Sequence, residues 1–232
     1  EKVRMLQQAL LDQRQILAEN IDRPVETVPQ AFTPYKEVLE IYSNGLELPD
    51  DITIVWPDDN YGYMKRLSGV REQRRTGRSG VYYHVSYLGV PHSYLWFSTT
   101  PPSLMYEELR KAYDTTADRL WLLNCGDLKG SEMQVSLFLD MAWNPRAFTN
   151  ENLLDHTRRF FEQQFGAEQA GEAARIFNLL CKYNGRCTPE LLDADTYSVS
   201  NGEWKKVRDE YMLLEAEALR ASVQRRVVRL NW

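Results

Sequence analysis

The sequence predicts an α/β fold, a parallel sheet covered by helices on both sides, continuing into an all-helical segment. Three observations carry this. Short, nearly continuous apolar runs recur at 51–56, 81–87 and 118–124, as expected of strands buried on both faces. Segments of helical periodicity lie before, between and after them. From about Asn150 onward only helical patterns remain.

The elements follow in order. Residues 1–20 read as an amphipathic helix with Met5, Leu6, Leu10, Ile16 and Leu17 favouring one face. "TPYKEVLEIYSNGLELP" (Thr33 to Pro49) opens on a Thr-Pro start signal and closes near Asn44-Gly45. "DITIVW" is the first strand, stopped by Pro57, and residues 61–75 form a short helix or ordered loop. "VYYHVSY" is the second strand, dense in β-branched and aromatic residues. "SYLWFST" (Ser93 to Thr99) reads as a short strand or extended loop. "PSLMYEELRKAY" starts a helix with Pro102 in its first turn. "DRLWLLN" is the third strand, "CGDLKGSE" its exit loop, and Glu132 to Trp143 the next helix. Further helices are expected at 151–165, 168–183 and 203–228, the last with a core stripe of Val207, Tyr211, Leu214 and Ala218. A domain boundary is placed near Pro145, giving 1–145 and 146–232.

Composition bounds the function. A chain of 232 residues, 43% of them hydrophobic, buries a real core and is not disordered. A net charge of −5 argues against nucleic acid, which demands clustered cations, and "REQRRTGR" reads as a solvated basic loop. No apolar run approaches the roughly 18 residues of a membrane span. The abundance of Tyr and Trp near polar strand ends fits a sugar cleft, where flat rings cover pyranose C–H faces, and equally an aromatic-rich core. Cys125, Cys181 and Cys187 have no metal spacing; Cys181 and Cys187 are close enough in sequence to pair, but buried free thiols are the default. The chain has no initiator Met and opens and closes inside helical patterns, so it is expected to be an excerpt of a longer protein.

Three strands end in polar clusters. The first gives Asp58, Asp59, Asn60 and Tyr61 after Trp56; the second carries His84, Ser86 and Tyr87, with Tyr82 and Tyr83 before them; the third gives Asn124, Asp127, Lys129 and Glu132. In a parallel α/β architecture all strand C-termini lie on one face, where active sites sit. The plainer reading stands beside this one. Pro-Asp-Asp-Asn is good turn chemistry, Asp127 and Glu132 suit helix capping, and His84 suits a satisfied core position. Tyr82 and Tyr83 cannot both face the site, because successive strand residues point to opposite faces. His92 reads as loop surface, His156 as helix surface, and Trp96 as core or sugar platform. HExxH, GxSxG and Walker patterns are absent, so no metal and no cofactor is expected, and carboxylate acid/base chemistry remains. A divalent-metal site using Asp58, Asp59 and His84 is the lesser alternative.

"DDITIVWPDDNYGYMKRL", "SGVYYHVSYLGVPHSYLWFSTTPP" and "LWLLNCGDLKGSEMQVSLFLDMAWN" resemble glycoside hydrolase family 115, the xylan α-1,2-glucuronidases. The resemblance is dense over residues 50–145 and looser through the helical segment. It implies the late part of a (β/α)8 barrel followed by part of a helical bundle. It also implies removal of glucuronic acid or its 4-O-methyl ether, α-1,2-linked to xylose in glucuronoxylan or its oligosaccharides, with inversion. Export to the periplasm or medium, and a possible homodimer, are implied in the same way. Inversion needs an acid and a base about 6.5–9.5 Å apart, which adjacent Asp58 and Asp59 do not satisfy together. The expected catalytic candidates are Asp58, Asp59, Asp127 and Glu132. The expected substrate contacts are Trp56, Asn60, Tyr61, Tyr83, His84, Tyr87, Asn124 and Lys129. A non-catalytic carbohydrate-binding or scaffold role is the alternative.

Overall fold

A computed structural model of the chain describes residues 1–87, 99–187 and 191–230. The described residues form two compact units, Glu1–Tyr87 with Glu107–Cys125, and residues 99–106 with 126–230.

The first unit is built on four parallel strands in chain order, β1 (Ala31–Phe32), β2 (Thr53–Pro57), β3 (Ser79–His84) and β4 (Ala117–Asn124). The α/β class expected from the sequence is the class observed. Ile54, Val55, Trp56, Val81 and Tyr83 are essentially inaccessible, which is why β2 and β3 read as continuous apolar runs. Pro57 was expected to stop the ladder but belongs to β2, opposite Tyr82. Thr53 donates its N–H to Gln30, toward β1, whereas Ile54 and Asp58 donate toward β3. The odd positions of β2 therefore face β1, which has already ended at Phe32, so the missing N–H of Pro57 breaks no bond. At Gly80 the backbones of β3 and β4 approach so closely that a β-carbon would lie 2.1 Å from the Leu120 carbonyl oxygen. β4 departs from the expectation of two buried faces: Leu120 and Leu122 are 41% and 47% exposed.

Helix α1 (Lys2–Asn20) lies where periodicity placed it. Leu6 and Leu10, with Val3, pack on Phe32, Leu46 and Ile52, while Met5 and Ile16 point to solvent. Helix α2 spans only Glu37–Ser43. The Thr-Pro signal does not start it, because Tyr35 to Val38 first form a turn closed by the Val38 N–H on the Tyr35 carbonyl. Its end at Asn44 and Gly45 (φ +98°) matches the sequence reading. Helix α3 (Pro102–Asp114) contributes the buried Leu109 and Ala112 to this unit.

The second unit is helical: α4 (Glu132–Trp143), α5 (Leu153–Phe165), α6 (Ala167–Arg186) and α7 (Glu203–Leu230). Gly166, at φ +88°, makes the corner between α5 and α6. Ala170, Ala174, Phe177 and Cys181 recur at helical spacing on the buried face of α6, and Phe161 of α5 meets Phe177. Val207 and Tyr211 of α7 pack with Tyr183 and Tyr197, and Leu214 is buried, whereas Ala218 is exposed. Cys181 and Cys187 are not disulfide-bonded. Among the described residues no helix is long and apolar enough to cross a membrane. The expected strand at Ser93–Thr99, with Trp96, and the loop residue His92 lie outside the described residues, Thr99 excepted.

Candidate active site

The loop after β2 explains why two carboxylates stand side by side. Four successive backbone N–H groups alternate between them. Asn60 and Gly62 donate to Asp58, at 3.0 and 3.1 Å, and Tyr61 and Tyr63 donate to Asp59 Oδ1, at 2.9 and 3.1 Å. The loop is tight, with Asn60 at φ +74° and Gly62 at φ +95°, conformations that Asn and Gly accept most readily.

The two carboxylates then part company. Asp58 is fully enclosed, and β3 completes its coordination: the His84 N–H donates to Oδ2 at 3.0 Å and His84 Nδ1 lies 2.6 Å from Oδ1. Each oxygen thus accepts two hydrogen bonds, as an ionised carboxylate does. An Asp58 so committed has no lone pair left for a substrate proton. It orients the His84 ring with Nδ1 toward it, and that ring is itself buried, its side chain 1% exposed. Asp59 is half-buried, and among the described residues its Oδ2 accepts no hydrogen bond.

Aromatic rings surround His84. Tyr82 is 4.5 Å away between centroids, Tyr87 5.9 Å, and Tyr35 stacks at 6.0 Å. The Tyr35 hydroxyl donates to Asn60 Oδ1 at 2.7 Å, and Asn124 donates its amide N–H to the Tyr82 hydroxyl at 2.8 Å. Tyr61 is half-buried with its ring 6.3 Å from that of Tyr87. Lys36 donates to the Tyr87 hydroxyl at 2.9 Å. The ends of β2, β3 and β4 thus bring together Asn60, Tyr61, His84, Tyr87 and Asn124, with Asp59 held by the backbone of the same loop.

Two expected contacts are placed elsewhere. Trp56 is fully buried and donates its indole N–H to Ser68 Oγ at 2.8 Å. Tyr83 is fully buried and donates its hydroxyl to the Gly62 carbonyl at 2.9 Å. Both are internal: Tyr83 supports the loop from inside and Trp56 anchors the segment that follows it. Tyr82, half-buried, joins the cluster instead because it shares a strand face with His84, two residues on. Strand alternation separates Tyr82 from Tyr83 but does not say which of them joins the cluster. Tyr35 and Lys36 were missed, because "TPYKE" reads as an ordinary helix start.

Asp127, Lys129 and Glu132 belong to the second unit, in the segment leading into α4. Asp127 is exposed and the Lys129 side chain is 96% exposed. Glu132 accepts the Gly130 N–H at 2.6 Å and pairs with Lys129 at 3.4 Å. Burial raises the Glu132 carboxyl, but backbone N–H groups of Glu132 and Gly130, together with Lys129, outweigh it and hold the carboxyl below its usual range. His156 pairs with Asp140 at 2.8 Å. Among the described residues no three His, Cys, Asp or Glu side chains cluster closely enough to hold a metal ion. The set weighed for that role, Asp58, Asp59 and His84, is divided by the commitment of Asp58 to His84.

The model of glycosyl hydrolase family 115 matches residues 1–191. Among solved structures the chain is similar to BtGH115A, a family GH115 4-O-methyl-α-glucuronidase with specificity for decorated arabinogalactans, at 35% identity and a TM-score of 0.86. The match covers 92% of this chain and 30% of that one. The parallel strands in chain order correspond to the later part of a (β/α)8 barrel, followed by a helical segment. No curated protein matches.

Proposed function

The chain belongs to glycosyl hydrolase family 115, and from that premise we propose that the full-length protein removes glucuronic acid, or its 4-O-methyl ether, α-1,2-linked to xylose in glucuronoxylan, with inversion. Residues 1–145 are taken as barrel and 146–232 as helical bundle. The observation that carries the reading is the division of labour after β2. Asp58 is spent on His84 and the loop, whereas Asp59 keeps an oxygen unengaged among the described residues. Asp59 is therefore the carboxylate of that pair able to exchange a proton with, or orient, a sugar hydroxyl or a water. Asn60, Asn124, Tyr82 and Tyr87 offer the amides and phenols that bind sugar hydroxyls, around the buried His84 ring. Asp127 and Glu132 are the further carboxylate candidates. The ionised state of Glu132 suits a base or an orienting anion, not an acid.

The first test is acid release by the full-length protein from glucuronoxylan, with and without chelator. Chelator-insensitive release of 4-O-methylglucuronic acid supports the reading; release abolished by chelator points to a metal site instead. Binding to xylan without release favours the scaffold role. Asp59→Asn keeps the oxygen that Tyr61 and Tyr63 need and is expected to lower turnover by about 10²–10⁴-fold. Full turnover in Asp59→Asn, Asp127→Asn and Glu132→Gln alike would sink the carboxylate assignment. A second substrate reading has one observation behind it. The similar solved enzyme is specific for decorated arabinogalactans, so arabinogalactan belongs in the same assay.

A further inference from the structure

Lys36 sits where a lysine is costly. Its backbone is at φ +52°, ψ −122°, the first central position of a turn closed by the Val38 N–H on the Tyr35 carbonyl at 3.0 Å. That is the geometry of a type II′ turn, whose first central residue is normally glycine. A non-glycine residue held there stores strain, and such strain persists where a side chain is needed in that place.

The side chain explains the need. The ammonium lies 5.2 Å from the Tyr35 ring centroid and 5.4 Å from that of Tyr87, and it donates to the Tyr87 hydroxyl. Among the described residues no carboxylate lies within ion-pair distance of it, although Glu37 is its neighbour in sequence. Lys36 is thus an exposed cation with no ion-pair partner among the described residues, set on the two tyrosines that also flank His84. By accepting from the ammonium, the Tyr87 hydroxyl keeps its own proton for donation. Ammonium and phenol together form a pair of adjacent donors that matches the two oxygens of a carboxylate.

We propose that Lys36, with Tyr87, receives the carboxylate of a uronic acid and is the residue that makes the strand-end site selective for uronic acids over neutral sugars. This deepens the glucuronidase reading and rests on it. The hydrogen bond to the Tyr87 hydroxyl also makes the ammonium hold its proton more tightly than an ordinary lysine.

The experiment compares two probes, D-glucuronate and the neutral D-glucuronamide, by NMR titration of the full-length protein. Wild type should prefer glucuronate, and Lys36→Gln should reduce that preference by about tenfold or more while glucuronamide binding stays the same. Lys36→Gly should lose the same preference yet melt at a higher temperature, since glycine relieves the turn. A Lys36 that merely props Tyr87 would weaken both probes equally and leave the ratio untouched. If wild type prefers glucuronate and Lys36→Gln keeps the ratio, the Lys36 assignment alone falls. If wild type shows no preference, the assignment falls together with the uronide reading.

Discussion

Replacing Asp58 tests whether its buried carboxylate organises the site rather than performs chemistry. Asp58 accepts from the N–H groups of Asn60, Gly62 and His84 and from His84 Nδ1. Asp58→Ala strips four inward-facing donors at once. At about 1–3 kcal/mol for each buried donor left unsatisfied, the cost is at least about 4 kcal/mol. Asp58→Asn is more informative. With its amide oxygen in the place of Oδ2 it still serves Gly62 and the His84 N–H. Its NH₂ then faces Asn60 and Nδ1. The ring answers by moving its proton to Nε2, so that Nδ1 accepts; the Asn60 N–H has no such option. One orphaned donor gives a loss of about 1–3 kcal/mol. The assay is denaturant unfolding alongside ¹⁵N NMR of histidine-labelled protein. The Nδ1 resonance of His84 should change from a protonated to an unprotonated shift. Stability within about 0.5 kcal/mol of wild type, with Nδ1 still protonated, would refute the account of Asp58 as the group that sets the His84 tautomer.

Further outcomes are open to measurement. Trp56→Phe should cost about 2 kcal/mol, from the lost bond to Ser68 and the cavity, while KM for polysaccharide changes by less than about threefold; a tenfold rise would mean that Trp56 lines the sugar site. Gly80→Ala drives a β-carbon into the Leu120 carbonyl and should destabilise by about 3 kcal/mol, with faster amide exchange along β3 and β4. Burial pushes the Cys181 thiol up to about 12, whereas an unfolded thiol ionises near about 8.5. The folded state holds that proton more tightly, so its contribution is complete below about pH 8.5 and is lost toward about pH 12, at roughly 1.4 kcal/mol per pH unit. Cys181→Ala should flatten this alkaline limb of the stability profile.

The fold was legible because its signals are local or periodic. Strands β2, β3 and β4 and helices α3 to α7 announced themselves through apolar runs and caps, within a few residues of their observed ends. The two-residue strand β1 was too short to leave a pattern, and Pro57 misled because the side of the sheet its nitrogen faces depends on where β1 stops. The candidate site was half legible. Polar strand ends drew attention to Asp59, Asn60, His84 and Asn124. Which member of each adjacent pair faces outward is a tertiary fact. Asp58 turned out committed and Asp59 open, Tyr83 buried and Tyr82 exposed to the cluster. Lys36 left no mark in the sequence, since a left-handed lysine looks like any other lysine until the turn around it is seen.

The loop after β2 is gripped from both faces of β3, by His84 through Asp58 and by Tyr83 through the Gly62 carbonyl. For protein engineering this sets the smallest transplantable part. Copying Asp58 to Tyr63 into another parallel-sheet scaffold would carry the side chains but not their conformation. The graft holds its shape only if the neighbouring strand of the recipient presents a tyrosine and a histidine in succession, in the register that pairs Pro57 with Tyr82.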